Sequence, residues 1–164
     1  MATLTVLEFE TAGGAEEMVK ALGDLQRQKL ITLQDAAIVS WPEGKKKPKT
    51  NQLANLTGAG AMSGAFWGLL FGLIFFVPLL GMAIGAAMGA LGGAMTDFGI
   101  NDDFIKKIRD EVTEGTSALF LLSSGAVPDR LAEEMKARNI SFKLVASNLS
   151  QEQEERLRET FGAE

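Results

Sequence analysis

The chain reads as an α+β protein: a ferredoxin-like split βαβ sheet with an inserted glycine-zipper transmembrane helical hairpin. Two observations predict this. On either side of the middle, strand-like and helix-like patterns follow the order β-α-β and again β-α-β. The middle itself, from Asn51 to Thr96, carries no charged residue and repeats glycine at every fourth position.

The first strand is Thr3–Phe9, where β-branched and apolar residues alternate. Thr11, Ala12, Gly13 and Gly14 break it. Met18, Ala21, Leu22, Leu25 and Leu30 then recur at helical spacing, with Glu16, Glu17, Lys20 and Arg27 on the other side. Asp35–Trp41 is the second strand, and Pro42, Glu43 and Gly44 turn the chain. A basic run, Lys45, Lys46, Lys47 and Lys49, leads to a short return strand at Thr50–Leu53. Beyond the uncharged middle, Asn101–Val112 is helical, with Asn101 or Asp102 as its cap and Phe104, Ile105, Ile108 and Val112 on one side. Ser117–Ser123 is continuously apolar and suits the centre of a sheet. Val127–Arg138 is a helix with Pro128 in its first turn, and Leu131 and Met135 face inward. Ser141–Ser147 alternates as the closing strand. Ser150 and Gln153 form a capping box for a last helix running to Phe161. The divisions that follow are 1–53 and 99–164 for the two halves of the sheet domain, and 54–98 for the hairpin.

The uncharged block is long enough for two spans of about 20 residues, divided at Pro78. Gly60, Gly64, Gly68 and Gly72 form one series, and Gly81, Gly85, Gly89 and Gly93 the other. Residues four apart share a helix ridge, and glycine there lets two backbones touch, which is how helices associate in lipid. Phe66, Leu69, Leu70 and Leu73 stand opposite the first ridge and suit lipid or a neighbour. The second segment carries a further small-residue ridge at Ala83, Ala87, Ala90 and Ala94, which invites a second copy of the chain. The tip, Phe75 to Leu80, holds no polar residue. Trp67 fits against the zipper or at the interface. The lysine run before the first span places that end in the cytoplasm and offers contacts to anionic lipid head groups.

This pattern resembles a bacterial membrane-protein family of unknown function related to general stress proteins. Thr3–Phe9, the turn and lysines of Trp41–Lys49, the doubled glycine series and Ser141–Phe161 carry the resemblance. It implies a membrane-inserted glycine zipper in a ferredoxin-like frame and no catalytic residues.

Composition excludes much else. There is no cysteine and no histidine, so thiolate chemistry, imidazole catalysis and the usual zinc sites are absent. A net charge of −5 argues against nucleic acid as a partner. No phosphate-binding fingerprint is present, and Gly13-Gly14 reads as a plain turn. Met1 to Glu10 carries no basic region, apolar core or cleavage site of a signal peptide. The functional expectation is a non-enzymatic, cofactor-free protein of the inner membrane with its soluble domain facing the cytoplasm. In it, copies associate into a membrane scaffold or membrane-shaping assembly in a stress-related setting. An oligomeric pore is the alternative, and a sensor binding a small ligand is a third reading.

Overall fold

The computed structural model describes residues 2–28, 33–53, 64–76, 99–124, 133–137 and 141–161. Five strands form one antiparallel sheet: β1 (Ala2–Phe9), β2 (Leu33–Ser40), β3 (Lys49–Gln52), β4 (Ser117–Ser124) and β5 (Lys143–Leu149), in the order β3-β2-β4-β1-β5. The helices are α1 (Gly14–Arg27), α2 (Gly64–Phe71), α3 (Asp102–Glu111) and α4 (Gln151–Phe161). A π turn, Gly72–Phe76, continues α2. β1 and β2 run parallel to each other with β4 antiparallel between them.

The sheet is covered on both faces. On the first, Met18, Ala21, Leu22 and Leu25 of α1 pack against Leu7, Phe9, Leu119 and Leu121, with Met135 beside them. Ser117 fixes the start of α1: its hydroxyl accepts from the Ala15 amide at 3.0 Å and donates to the Thr11 carbonyl at 2.6 Å. The free amides of a helix start are thus partly met by a side chain from β4.

On the second face, Leu4, Val6, Ala37, Val39, Ala118, Phe120 and Leu122 meet α2, the π turn, α3 and Leu157 of α4. Asn101 caps α3, accepting from the Phe104 amide at 2.9 Å. In α4 the capping box closes in both directions: Gln153 Oε1 accepts from the Ser150 amide, and Ser150 Oγ accepts from the Gln153 amide. Arg109 ties two of these pieces together. Its Nη2 and Nε donate to the Leu73 and Ile74 carbonyls at 2.8 and 3.1 Å, meeting carbonyls at the π turn. At the end of the sheet, Gly115 turns with φ +89°, a region glycine adopts at little cost, and its amide donates to the Trp41 carbonyl at 2.6 Å.

The structure corrects the expectation of an inserted transmembrane hairpin. Among the described residues, no helix is long and apolar enough to cross a membrane. The described part of the first apolar segment is an eight-residue helix followed by a five-residue π turn. Its bulky side is also committed elsewhere. Phe66, Leu70, Leu73 and Ile74 are completely buried, and they belong to the second-face core. Trp67 stacks on Phe71 and meets Phe120 edge-on rather than lying on a zipper or at a lipid interface. The membrane scaffold and the pore fall with the hairpin that was to build them. What stands is an α+β chain with a five-stranded antiparallel sheet.

Gly68 is exposed, and a Cβ built there meets nothing within 4 Å among the described residues. Gly68→Ala is therefore expected to leave stability unchanged or raise it by up to about 1 kcal/mol. Leu70→Ala, which empties a fully buried site, is expected to cost about 2–5 kcal/mol. Urea unfolding of both variants checks the pair, and a large loss from Gly68→Ala would contradict the packing.

Candidate functional site

Along β1, alternation sends Leu4, Val6 and Glu8 to the same face. Leu4 and Val6 enter the core. Glu8 follows them inward and is only 6 % exposed, although it carries a carboxyl group. It lies opposite Ala118 of β4 and Lys143 of β5, near the end of the sheet where α3 terminates. Glu111, the last residue of α3, sits beside it.

These residues line an open cleft of about 350 Å³ together with Thr116, Ser141, Phe9 and Phe142. Of the acidic residues there, Glu10 is exposed, Glu111 is partly exposed and Glu8 is buried. Among the described residues no N–H or hydroxyl group donates to either carboxyl oxygen of Glu8. Lys143 Nζ stands 3.8 Å from Glu111 Oε2, and its side chain is 71 % exposed.

The electrostatics follow from burial. Loss of water around Glu8 disfavours its charge, and the neighbouring Glu111 carboxylate reinforces this both by hydrogen bonding and by repulsion. Lys143 and Lys107 pull the other way but do not prevail, and the Glu8 carboxyl is pushed up to about 8. Glu111 moves down, chiefly because it accepts a hydrogen bond from protonated Glu8, with Lys143 and Lys107 assisting against its own burial. Near neutrality the pair thus shares one proton, with Glu8 as donor and Glu111 as acceptor. A site of this kind presents a donor and an acceptor side by side, and becomes a double acceptor once the proton leaves.

The residues singled out from sequence lie elsewhere. Lys45, Lys46, Lys47 and Lys49 are exposed on the connection between β2 and β3 and at the start of β3, and none lines the cleft. Gly68 and Gly72 are on α2 and the π turn with no close-packed partner among the described residues. Gly64 opens α2. Gly60, Gly81, Gly85, Gly89 and Gly93, with Ala83, Ala87, Ala90 and Ala94, lie outside the described residues. Among the described residues no group of three or more acidic, cysteine or histidine side chains could hold a metal ion. Glu8, Glu111 and Lys143 were not singled out from sequence. The available signal was a glutamate in register with Leu4 and Val6 on an inward face.

A family model described as "Protein of unknown function (DUF1269)" matches residues 61–162, more than half of the chain. The chain belongs to this family. No curated protein and no solved structure matches it. For DUF1269, then, residues 61–162 contribute Glu111 and Lys143 to the cleft, while Glu8 comes from the strand that precedes the matched region.

Glu8 makes stability depend on pH with a definite sign. Its folded value, about 8, lies above its ordinary 4.5, so the folded state holds the extra proton between those limits. Its stabilisation is complete below about 4.5 and drains away as pH rises to about 8. Glu111, shifted down, contributes stability at neutral pH that is lost only in acid. The denaturant midpoint of the native chain is expected to fall between about pH 5 and 8.5, by the equivalent of a few kcal/mol at most. The Glu8→Gln variant is expected to stay level across that window, and parallel curves for the two proteins would remove this account of Glu8.

Proposed function

We propose that this chain is a non-enzymatic ligand-binding module that takes a small molecule in the Glu8–Glu111 cleft. One observation carries the reading: a carboxyl group buried to 6 % exposure, with neither oxygen matched to an N–H or hydroxyl donor among the described residues, lines an open cleft of ligand size. Buried polar groups are nearly always hydrogen-bonded, and an unmatched one costs about 1–3 kcal/mol or more when charged. A ligand that supplies the missing donors recovers that cost on binding. Pockets of about 300–1,000 Å³ with a few convergent polar groups are the usual seats of small ligands.

The lining supports binding rather than turnover. The chain has no histidine and no cysteine. Phe9 and Phe142 provide apolar wall, and Thr116 and Ser141 provide polar wall. The hydroxyl of Thr116 is engaged locally, accepting from the Thr113 amide and donating to its carbonyl. The resemblance to a family of unknown function related to general stress proteins is in keeping with a sensing role in a stress response.

The reading is tested by thermal shift on the full chain, using a panel of small ammonium, carboxylate and neutral amide compounds. At least one class is expected to raise the melting temperature of the native protein and not that of Glu8→Gln. A panel in which every compound acts alike on both proteins would refute a ligand site at Glu8.

A further inference from the structure

We infer that the cleft takes a small primary-ammonium compound, whose charged head is held between the carboxyl groups of Glu8 and Glu111. The inference rests on the ligand-binding reading of this cleft and adds the class of ligand.

The argument starts from what Glu8 lacks. Among the described residues no N–H or hydroxyl group donates to either of its oxygens, and Glu111 beside it is a carboxyl group too, so a proton is all the pair has to share. A carboxylate ligand would add a third acceptor to the pair. A neutral amide supplies N–H donors, but brings no charge to offset the buried Glu8 and the Glu111 carboxylate beside it. An ammonium head carries three donors and one positive charge on a compact centre. It can therefore serve Glu8 and Glu111 together.

Lys143 shows the same chemistry stopping short. Its ammonium reaches only to 3.8 Å from Glu111 Oε2 and remains mostly in solvent, and Glu8 stays unmatched. Lys143 and Lys107 also decide against a divalent metal. Both lysines act on the pair from α3 and β5, and two nearby positive charges oppose a doubly charged ion more than a singly charged one. The two carboxyls and the hydroxyls of Thr116 and Ser141 make a sparse set for such an ion, and no fuller cluster of ligating side chains exists among the described residues. The phenyl rings of Phe9 and Phe142 in the lining suit a carbon skeleton attached to the ammonium head.

Among the described residues the charged groups around Glu8 are Glu10 just beyond its strand, Lys107 and Glu111 on α3, and Lys143 on β5; β4 contributes uncharged Ala118 opposite it. The exchange balances simply. Protonated Glu8 releases its proton to the buffer, the ammonium group keeps all of its own protons, and no covalent bond forms or breaks except the O–H of Glu8.

Isothermal titration calorimetry with n-butylammonium chloride, in buffers of different ionisation enthalpy, reads both binding and proton release. At pH 7 close to one proton is expected to leave per ligand bound, because Glu8 titrates at about 8. Affinity is expected to weaken close to tenfold for each pH unit below that value. Glu8→Gln is expected to abolish proton release and weaken binding at least tenfold. Glu111→Gln, a change at the better exposed partner, is expected to weaken binding with the fold intact by circular dichroism. Sodium acetate, acetamide and magnesium chloride serve as the other probes. If one of these binds in a Glu8-dependent manner and n-butylammonium does not, the ammonium assignment fails while the ligand site stands. Ammonium binding without proton release would overturn the exchange. If no probe distinguishes native protein from Glu8→Gln, both the assignment and the site fail.

Discussion

The strand β4 has no polar side to show to water, and the architecture answers to that constraint. Ala118, Phe120 and Leu122 point to one face of the sheet, Leu119 and Leu121 to the other, and all are buried. Burying each large apolar side chain is worth about 1.5–3 kcal/mol, so leaving either face bare would forfeit several such contributions. One layer of helix cannot cover both. α1 closes the first face, and the second recruits α2, the π turn, α3 and the end of α4. Phe120 lies at the middle of that second layer, edge-on to both Trp67 and Phe71.

The same rule of burial gives the cleft its chemistry. Glu8 occupies an inward position because the register that places Leu4 and Val6 in the core cannot place Glu8 anywhere else. At mid-sheet such a carboxyl would have no escape from its desolvation. At the end of β1 it meets the last turn of α3 and the first residue of β5, where Glu111 and Lys143 can modulate its charge. The local backbone is held firmly around it, since Trp41 and Gly115 exchange contacts across the β2–β4 end and Arg109 anchors α3 to the π turn.

Much of the frame was legible in the residues. Asn101 as a cap, the Ser150–Gln153 box, the inward stripe of Met18, Ala21, Leu22 and Leu25, and the central placing of Ser117–Ser123 all follow from local rules that the tertiary structure leaves intact. The closing strand lies two residues later than its alternation suggested, at Lys143–Leu149, because pairing with β1 sets its limits. The hairpin was misread for a physical reason. Phe66, Leu70 and Leu73 have the same composition whether they face lipid tails or a sheet, and periodicity cannot tell the two apart. The clue that could have done so lay in another segment: a strand apolar on both faces requires a second cover, and only the uncharged block was apolar enough to supply it. Glu8 escaped notice because one glutamate in an alternating strand is ordinary until the strand's inward face is known. Glu111 and Lys143 are far from it in sequence, and only the fold brings them together.

The position of β1 also governs the order in which the molecule can be assembled. Both of its neighbours, β4 and β5, come from residues beyond 116, while β1 itself ends at Phe9. As the chain leaves the ribosome, β1 has neither neighbour to pair with until the residues of β4, up to Ser124, have emerged, and pairings between such distant segments are slow to form. Through that interval the apolar side chains of β1 and of residues 64–76 are uncovered together. Synthesis of such a chain leaves apolar surface open to solvent for longer than its modest length would suggest.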